Sequence, residues 1–437
     1  MNPAAEEHHK ERPTNVRALA AAWLGWAFDG LDGYLYVMVA IPVVTSLVAR
    51  EHGVSIEAAS GERGAEIASK ATIIQAVFLF GWAIGGAVFG RIGDRLGRSR
   101  TLTFTILTYA IFTGMSFFAT HWAHLLVFRF LAALGIGGEW AAGSALVSET
   151  LNPRHRVWAS AFLQSGYILG CIGAALTAGL FAGHDPRWVF LVGVLPAFVV
   201  VWIRHSVPEP EEWANATREP EAPKVADLFA PGLRRTTIAL LLHISITLTV
   251  VWAFLFFTPQ MVSAMPEAKG WSAAQVAEFK TRLTVVFLTV NIVANFFATY
   301  LARVIGHRWA FFVMIAGALA SVLWGFRTPP TAGDIYLKAC LVSFTGLGLF
   351  AMFPLYVPPL FPTLLRTLGA GLTYNAGRVV AAVGTLFAGT LTANAGGPSG
   401  AMWWIGWLYV PGLVVCLFLP ELARSNGAGT AGVRRGA

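Results

Sequence analysis

The stretch ATIIQAVFLFGWAIGGAVFGRIGDRLGRSRTLTFTILTYAIFTGMSFF, residues 71–118, sets two long apolar runs on either side of one short basic loop. Neither run, 71–90 nor 101–119, contains a charged residue. Each is about the 20 residues a helix needs to cross the hydrocarbon core of a bilayer. Their apolar residues are continuous rather than alternating and the runs are too long for barrel strands. Between them, GRIGDRLGRSR (90–100) gathers Arg91, Arg95, Arg98 and Arg100. Basic residues collect in cytoplasmic loops, so the stretch reads as a transmembrane hairpin with its turn inside the cell.

The rest of the 437-residue chain repeats this pattern. Apolar runs near 18–48, 71–90, 101–119, 124–148, 157–182, 188–203, 236–258, 283–302, 309–326, 335–357, 368–394 and 402–420 give twelve spans. Only 12% of the residues are charged and 56% are apolar, against about 25% charged in a soluble globular protein. That balance excludes a soluble domain, a disordered chain and a secreted disulfide scaffold. Cys171, Cys340 and Cys416 each lie inside an apolar run.

The formal charge of +8 is a topology signal here rather than a nucleic-acid footprint. With both termini cytoplasmic, 20 of the 31 Lys and Arg fall inside, 9 outside and 2, Arg129 and Arg378, within spans. The polar segment 204–235, VPEPEEWANATREPEAPKVADLFAPG at its core, separates six spans from six. The expected organisation is an N-terminal segment 1–17, a six-helix bundle 18–203, a linker 204–235 with one short amphipathic helix near 224–230, a second bundle 236–420 and a tail 421–437. LGRSR (96–100) and IGHRW (305–309), and likewise ETLNPRHR (149–156) and PLFPTLLR (359–366), recur at an offset near 210 residues. Duplicated halves are an arrangement many secondary transporters use.

No nucleotide-binding loop, H-E-x-x-H pair or dense Cys/His cluster occurs, so neither cofactor nor metal is expected and an existing gradient is the expected energy source. Ionised groups inside spans are costly, about 2.5–3.5 kcal/mol each on insertion scales, and mark pathways or proton relays. Here they are Asp29, Asp32, Glu139, Arg129 and Arg378, with His243 as a further candidate. Asp29 and Asp32 are three apart and share one helical face with Gly25 and Tyr36. Two neighbouring carboxylates raise the proton affinity of one of them, which proton coupling requires. Glu139 is a third candidate for that role. Arg378, with Tyr374 and Asn375 one turn earlier, suits a substrate carboxylate, which a guanidinium grips with two prongs. Gln164 and Tyr167, Asn291 and Asn295, and Tyr356 are polar side chains able either to line a cavity or to bind helices together. Arg129 lies nearer its span's outer end, where its side chain is able to reach the interface.

The 90–100 loop, through Gly90, Asp94, Arg95, Gly97 and Arg98, resembles the signature loop of the major facilitator superfamily, G-x-x-x-D-R-x-G-R-[RK], with Ser99 as its soft position. DGLD (29–32) is similar to helix 1 of the aromatic-acid and sialate:proton symporters, and GIGGEW (135–140) to the sialate and metabolite branches. Glu149 and Arg156 fit an E-x6-R element, and LFPTLLRTLGAGLTYNAGR (360–378) fits a conserved helix-11 stretch. Pro359 stands where that stretch has Glu, so Arg366 lacks an acidic partner, and Val304 stands where the second latch has Asp. The resemblance implies an all-α membrane protein of twelve helices in two pseudo-symmetric halves, with Asp94, Arg98 and their neighbours as gating residues. It implies a plasma-membrane carrier working by alternating access, expected to be monomeric. The intramembrane Arg and acids make proton-coupled uptake of a small organic acid the leading expectation. A symporter of sugars or other neutral metabolites is the alternative, ahead of a drug exporter.

Overall fold

The residues described by the structure, a computed structural model, are 16–96, 98–150, 156–198, 202, 224–362, 365–387, 391–392 and 394–422. Side chains at 18, 90, 91, 93–95, 98, 140–150, 156–158, 355, 366, 367, 385 and 386 are not described. Among the described residues the chain is helical throughout and forms no strand. The helices are α1 (Val16–His52), α2 (Gly64–Leu96), α3 (Arg98–Ser116), α4 (Trp122–Thr150), α5 (Arg156–Leu180), α6 (Pro186–Phe198), α7 (Arg234–Ala264), α8 (Ala273–Ile305), α9 (His307–Gly325), α10 (Ile335–Met352), α11 (Arg366–Leu386) and α12 (Pro398–Cys416). Each expected span has its helix. Nine are long and apolar enough to cross a bilayer among the described residues.

The other three are shorter or less apolar over the described residues. In α3 the sequence is threonine-rich, and Thr103, Thr105 and Thr108 return their hydroxyls to carbonyls at Ser99, Leu102 and Phe104. Hydroxyls satisfied within their own helix are tolerated in lipid, though they lower its hydropathy. The segment α6 is described only over Pro186–Phe198, as short helical turns, and α11 carries four glycines together with threonines, Tyr374, Asn375 and two arginines. In α10 the helix loosens into a π turn at Ser343–Leu347 and a 3-10 turn at Gly348–Met352. The linker places a short 3-10 turn at Val225–Phe229, with Leu228 buried, where a short amphipathic helix is expected.

Within the first six helices, α1 packs on α5, and α4 packs on both α2 and α3. Within the last six, α7 packs on α11 and α9 on α12. The two sets meet along α2–α11 and α5–α8. Polar groups also cross that seam: Thr281 donates to the Ala175 carbonyl at 3.0 Å and Ser160 to the Ala351 carbonyl at 3.1 Å. In the turn before α6, hydrogen bonds from Arg187 hold Asp185 below the usual carboxylate range, and Arg187 also donates to the Ala119 carbonyl at 2.9 Å. At the opposite end Glu421 accepts the N–H groups of His307 and Arg308, at 2.7 and 3.2 Å, and so caps α9.

Candidate functional site

The intramembrane charges converge where α1, α4 and α11 meet the aromatic face of α2. Asp29, Asp32 and Arg129 are fully buried, and Glu139 and Arg378 are 2% exposed. They do not act as one cluster. The expected face-sharing of Asp29 and Asp32 does not make them a carboxylate pair, because each finds a different partner on α4.

Asp32 belongs to Arg129. The guanidinium donates to Asp32 Oδ1 at 3.0 Å, to Oδ2 at 3.3 Å and to the Asp32 backbone carbonyl at 2.9 Å. Thr113 of α3 donates to the same carboxylate at 2.5 Å. The Phe78 ring lies 4.6 Å from the guanidinium carbon, with Tyr36 and Phe190 each at 5.9 Å. Arg129 therefore does not reach the interface as expected. It sits in a buried aromatic socket because Asp32 supplies the countercharge that makes burial tolerable.

Asp29 belongs to Glu139. Glu139 Oε1 sits so close to Gly25 that a Cβ there would fall 1.5 Å away. Gly25 is one turn before Asp29, so the missing side chain lets α4 press its carboxyl onto α1 beside Asp29. The two carboxyl groups adjoin. None of their four oxygens finds a donor among the described residues. A carboxyl–carboxyl contact becomes a hydrogen bond only when one partner carries a proton.

Arg378 faces the same neighbourhood from α11 and interacts electrostatically with Asp29. Its guanidinium carbon lies 4.4 Å from the Trp82 ring and 4.6 Å from the Tyr374 ring. Nη1 donates to Asn375 Oδ1 at 2.6 Å. Asn375 is seated against Gly86 of α2, where a Cβ would lie 2.2 Å from Nδ2. The guanidinium is thus stacked against two aromatic rings and tied at one nitrogen.

Of the other expected site residues, Tyr167 also interacts electrostatically with Arg378 and Asp29, and the rest are dispersed. Tyr36 donates to the Ala71 carbonyl at 3.0 Å, and Tyr356 to the Pro420 carbonyl at 2.6 Å. Gln164 accepts from the Trp26 indole at 3.3 Å, and Tyr167 packs its ring against Trp26. Asn291 and Asn295 are buried on α8, and both Asn295 amide atoms and Asn291 Oδ1 lack partners among the described residues. His243 contacts the Phe311 and Phe353 rings and lies 3.7 Å from Cys416 Sγ, away from the charged centre. Gly97, the surroundings of Gly90 and the side chains of Asp94, Arg95, Arg98, Glu149, Arg156 and Arg366 lie outside what is described. Sequence reading missed Trp82 and Gln75, the latter buried with both amide atoms unpartnered among the described residues. It also missed the buried Tyr109 hydroxyl, which interacts with Glu139 and Asp29. Their positions on the inward stripes of α2 and α3 were the available signal.

Comparison with known proteins agrees with this architecture. Residues 22–277 match the model of the Major Facilitator Superfamily, and residues 212–426 that of sugar and other transporters. The sialic acid transporter NanX of Escherichia coli is 30% identical, over 84% of this chain and 84% of its own. A Bacillus subtilis protein assigned as the niacin/nicotinamide transporter NiaP is 28% identical, over 88% of this chain and 91% of its own. The partially occluded inward-open structure of the E. coli xylose transporter XylE superposes with a TM-score of 0.72 at 16% identity, covering 95% of this chain and 99% of that one.

Proposed function

The chain belongs to the Major Facilitator Superfamily, and from that premise we propose that it is a proton-coupled importer of a small organic acid, with both termini in the cytoplasm. It is a multi-pass membrane transporter, and its relatives are named as transporters rather than enzymes. The observation that carries the substrate class is Arg378, a buried cation with no carboxylate bonded to it among the described residues. Relatives named for sialic acid, niacin and muconate fit a carboxylate substrate.

Both aromatic contacts lie against the guanidinium, so an incoming carboxylate meets its edge and is held in its plane. A flat, conjugated acid then continues between the same rings, which favours such acids over bulky ones. Coupling follows from charge. Ionised, Asp29 attracts Arg378 and competes with the substrate. A proton shared between Asp29 and Glu139 removes that competition and frees Arg378 for the acid. Acid and proton then cross together as the two halves rock about the α2–α11 and α5–α8 seams. The Asp32–Arg129 pair holds α1, α3 and α4 together and is not in the proton path.

A neutral sugar remains the second reading, because the amides of Gln75 and Asn295 and the Asn291 Oδ1, which lack partners among the described residues, suit hydroxyl groups. The discriminating experiment is uptake into proteoliposomes under an inward proton gradient, comparing nicotinate, benzoate and cis,cis-muconate with xylose. Accumulation of an acid and not of xylose supports the proposal, and the reverse sinks it.

A further inference from the structure

We propose that Lys280, with the polar stripe that follows it on α8, forms the outer limb of the substrate path, where the acid's carboxylate docks on the ammonium before reaching Arg378. The inference rests on the organic-acid reading above. At about 100° per residue, Lys280, Thr284, Asn291 and Asn295 fall within a strip about 60° wide. That strip faces the other half of the molecule. Thr284 is buried with its hydroxyl 3.9 Å from Met38 Sδ of α1, and the adjacent Thr281 bonds to α5. Further along, Asn291 and Asn295 are buried beside the loosened part of α10, where Ser343 donates to the Phe287 carbonyl at 2.7 Å and Gly348 abuts Ala294. Loosened helices at membrane depth are tolerated where they are buried in protein or line a path, and not where they face lipid.

Lys280 stands at the mouth of this strip, about 16 Å along the helix from Asn291. It is half-buried, and its ammonium makes no ion pair or hydrogen bond among the described residues. Several cations at this end of the bundle are paired: Arg282 with Glu278, Lys338 with Asp334 at 2.7 Å, and Lys70 with Glu51 at 2.9 Å. Arg50, Lys269 and Arg327, which make no ion pair among the described residues, are exposed to solvent where Lys280 is half-buried. An uncompensated cation at the rim of a narrow, low-dielectric mouth focuses its field outward and concentrates anions there. The buried amides behind it then have groups to give and accept as the acid passes. Sequence reading placed Lys280 in an outer loop, because the apolar run begins three residues later.

The test is uptake kinetics in proteoliposomes, using whichever of nicotinate, benzoate and cis,cis-muconate the parent accumulates best. At low ionic strength Lys280→Gln should raise KM about three- to tenfold with kcat unchanged, and Lys280→Arg should match the parent. At high ionic strength parent and Gln variant should converge, because screening removes the parent's advantage. A Gln variant like the parent at both ionic strengths, or equally impaired at both, overturns the docking role while leaving the organic-acid reading intact. A parent that accumulates none of the three acids overturns that reading, and the docking role with it.

Discussion

Arg129 holds Asp32 through three hydrogen bonds, two to the carboxylate oxygens and one to the backbone carbonyl, in a place where both side chains are wholly buried. One helical turn away, Asp29 meets Glu139 with no donor to either carboxyl among the described residues. Two acids three residues apart are thus given different partners by what α4 presents to them. A carboxylate locked to an arginine is a poor proton carrier, because protonating it strands the arginine. A carboxyl facing another carboxyl is suited to gaining and losing a proton.

The division of labour predicts opposite outcomes for two similar substitutions. Asp32→Asn leaves Arg129 buried without a countercharge, and losing one partner of such a pair costs about 3–5 kcal/mol. The variant should melt well below the parent in detergent, and exchanging both Asp32 and Arg129 for leucine should recover much of the loss. Asp29→Asn should melt like the parent, yet fail to accumulate substrate against a gradient while still exchanging it. Normal accumulation by the Asp29→Asn carrier would remove Asp29 from the proton path.

Gly86 is the seat of Asn375, so Gly86→Val should wedge α2 from α11 at this contact. Overpacking of this kind costs about 1–3 kcal/mol. Substrate affinity should fall further than in Gly61→Ala, where nothing lies within 4 Å of the added Cβ. Equal behaviour of the two variants would show that the α2–α11 contact does not position the Arg378 site.

Trp82 stacks on Arg378 and contributes no charge of its own. A desolvated cation–π contact is worth about 2 kcal/mol, or roughly 30-fold in affinity. Trp82→Leu should therefore weaken binding of the acid by about that factor, with Trp82→Phe recovering part of it. Unchanged affinity in the leucine variant would mean the ring only fills space.

Asp94 lies in the last turn of α2, twelve residues along that helix from Trp82. Its proposed gating role predicts that Asp94→Asn slows turnover with little change in KM. A large loss of affinity at normal turnover would place it in the substrate site instead.

The sequence exposes the fold readily because continuous apolar runs have one stable outcome in lipid, a helix. Even the threonine-rich α3 and the glycine-rich α11 are legible as spans, although their hydropathy is weak. The residues of the candidate site are legible too, since Asp29, Asp32, Glu139, Arg129 and Arg378 are conspicuous wherever charge is expensive. Their pairing is not. Helical spacing puts Asp29 and Asp32 on one face, but α4 divides that face between a carboxyl and a guanidinium, and a helix spacing rule carries no information about the neighbour. Trp82, Gln75 and Tyr109 escape notice for a related reason: an aromatic or amide in an apolar helix looks like packing until a buried charge is seen beside it. Lys280 escapes because the helix of α8 starts ten residues before its apolar run.

The central claim is that Arg378 grips a carboxylate. It is tested most directly by measuring the affinity of the parent, Arg378→Lys and Arg378→Ala proteins for nicotinate and for its uncharged counterpart nicotinamide. The parent should prefer the acid strongly. Arg378→Ala should lose about two to four decades of affinity for nicotinate, the size of a broken buried pair, with little change toward nicotinamide. Arg378→Lys should fall between, because an ammonium keeps the charge without the two-pronged edge. If the parent binds acid and amide equally, and the ratio is the same in both variants, Arg378 is a structural cation and the account of an organic-acid carrier is contradicted.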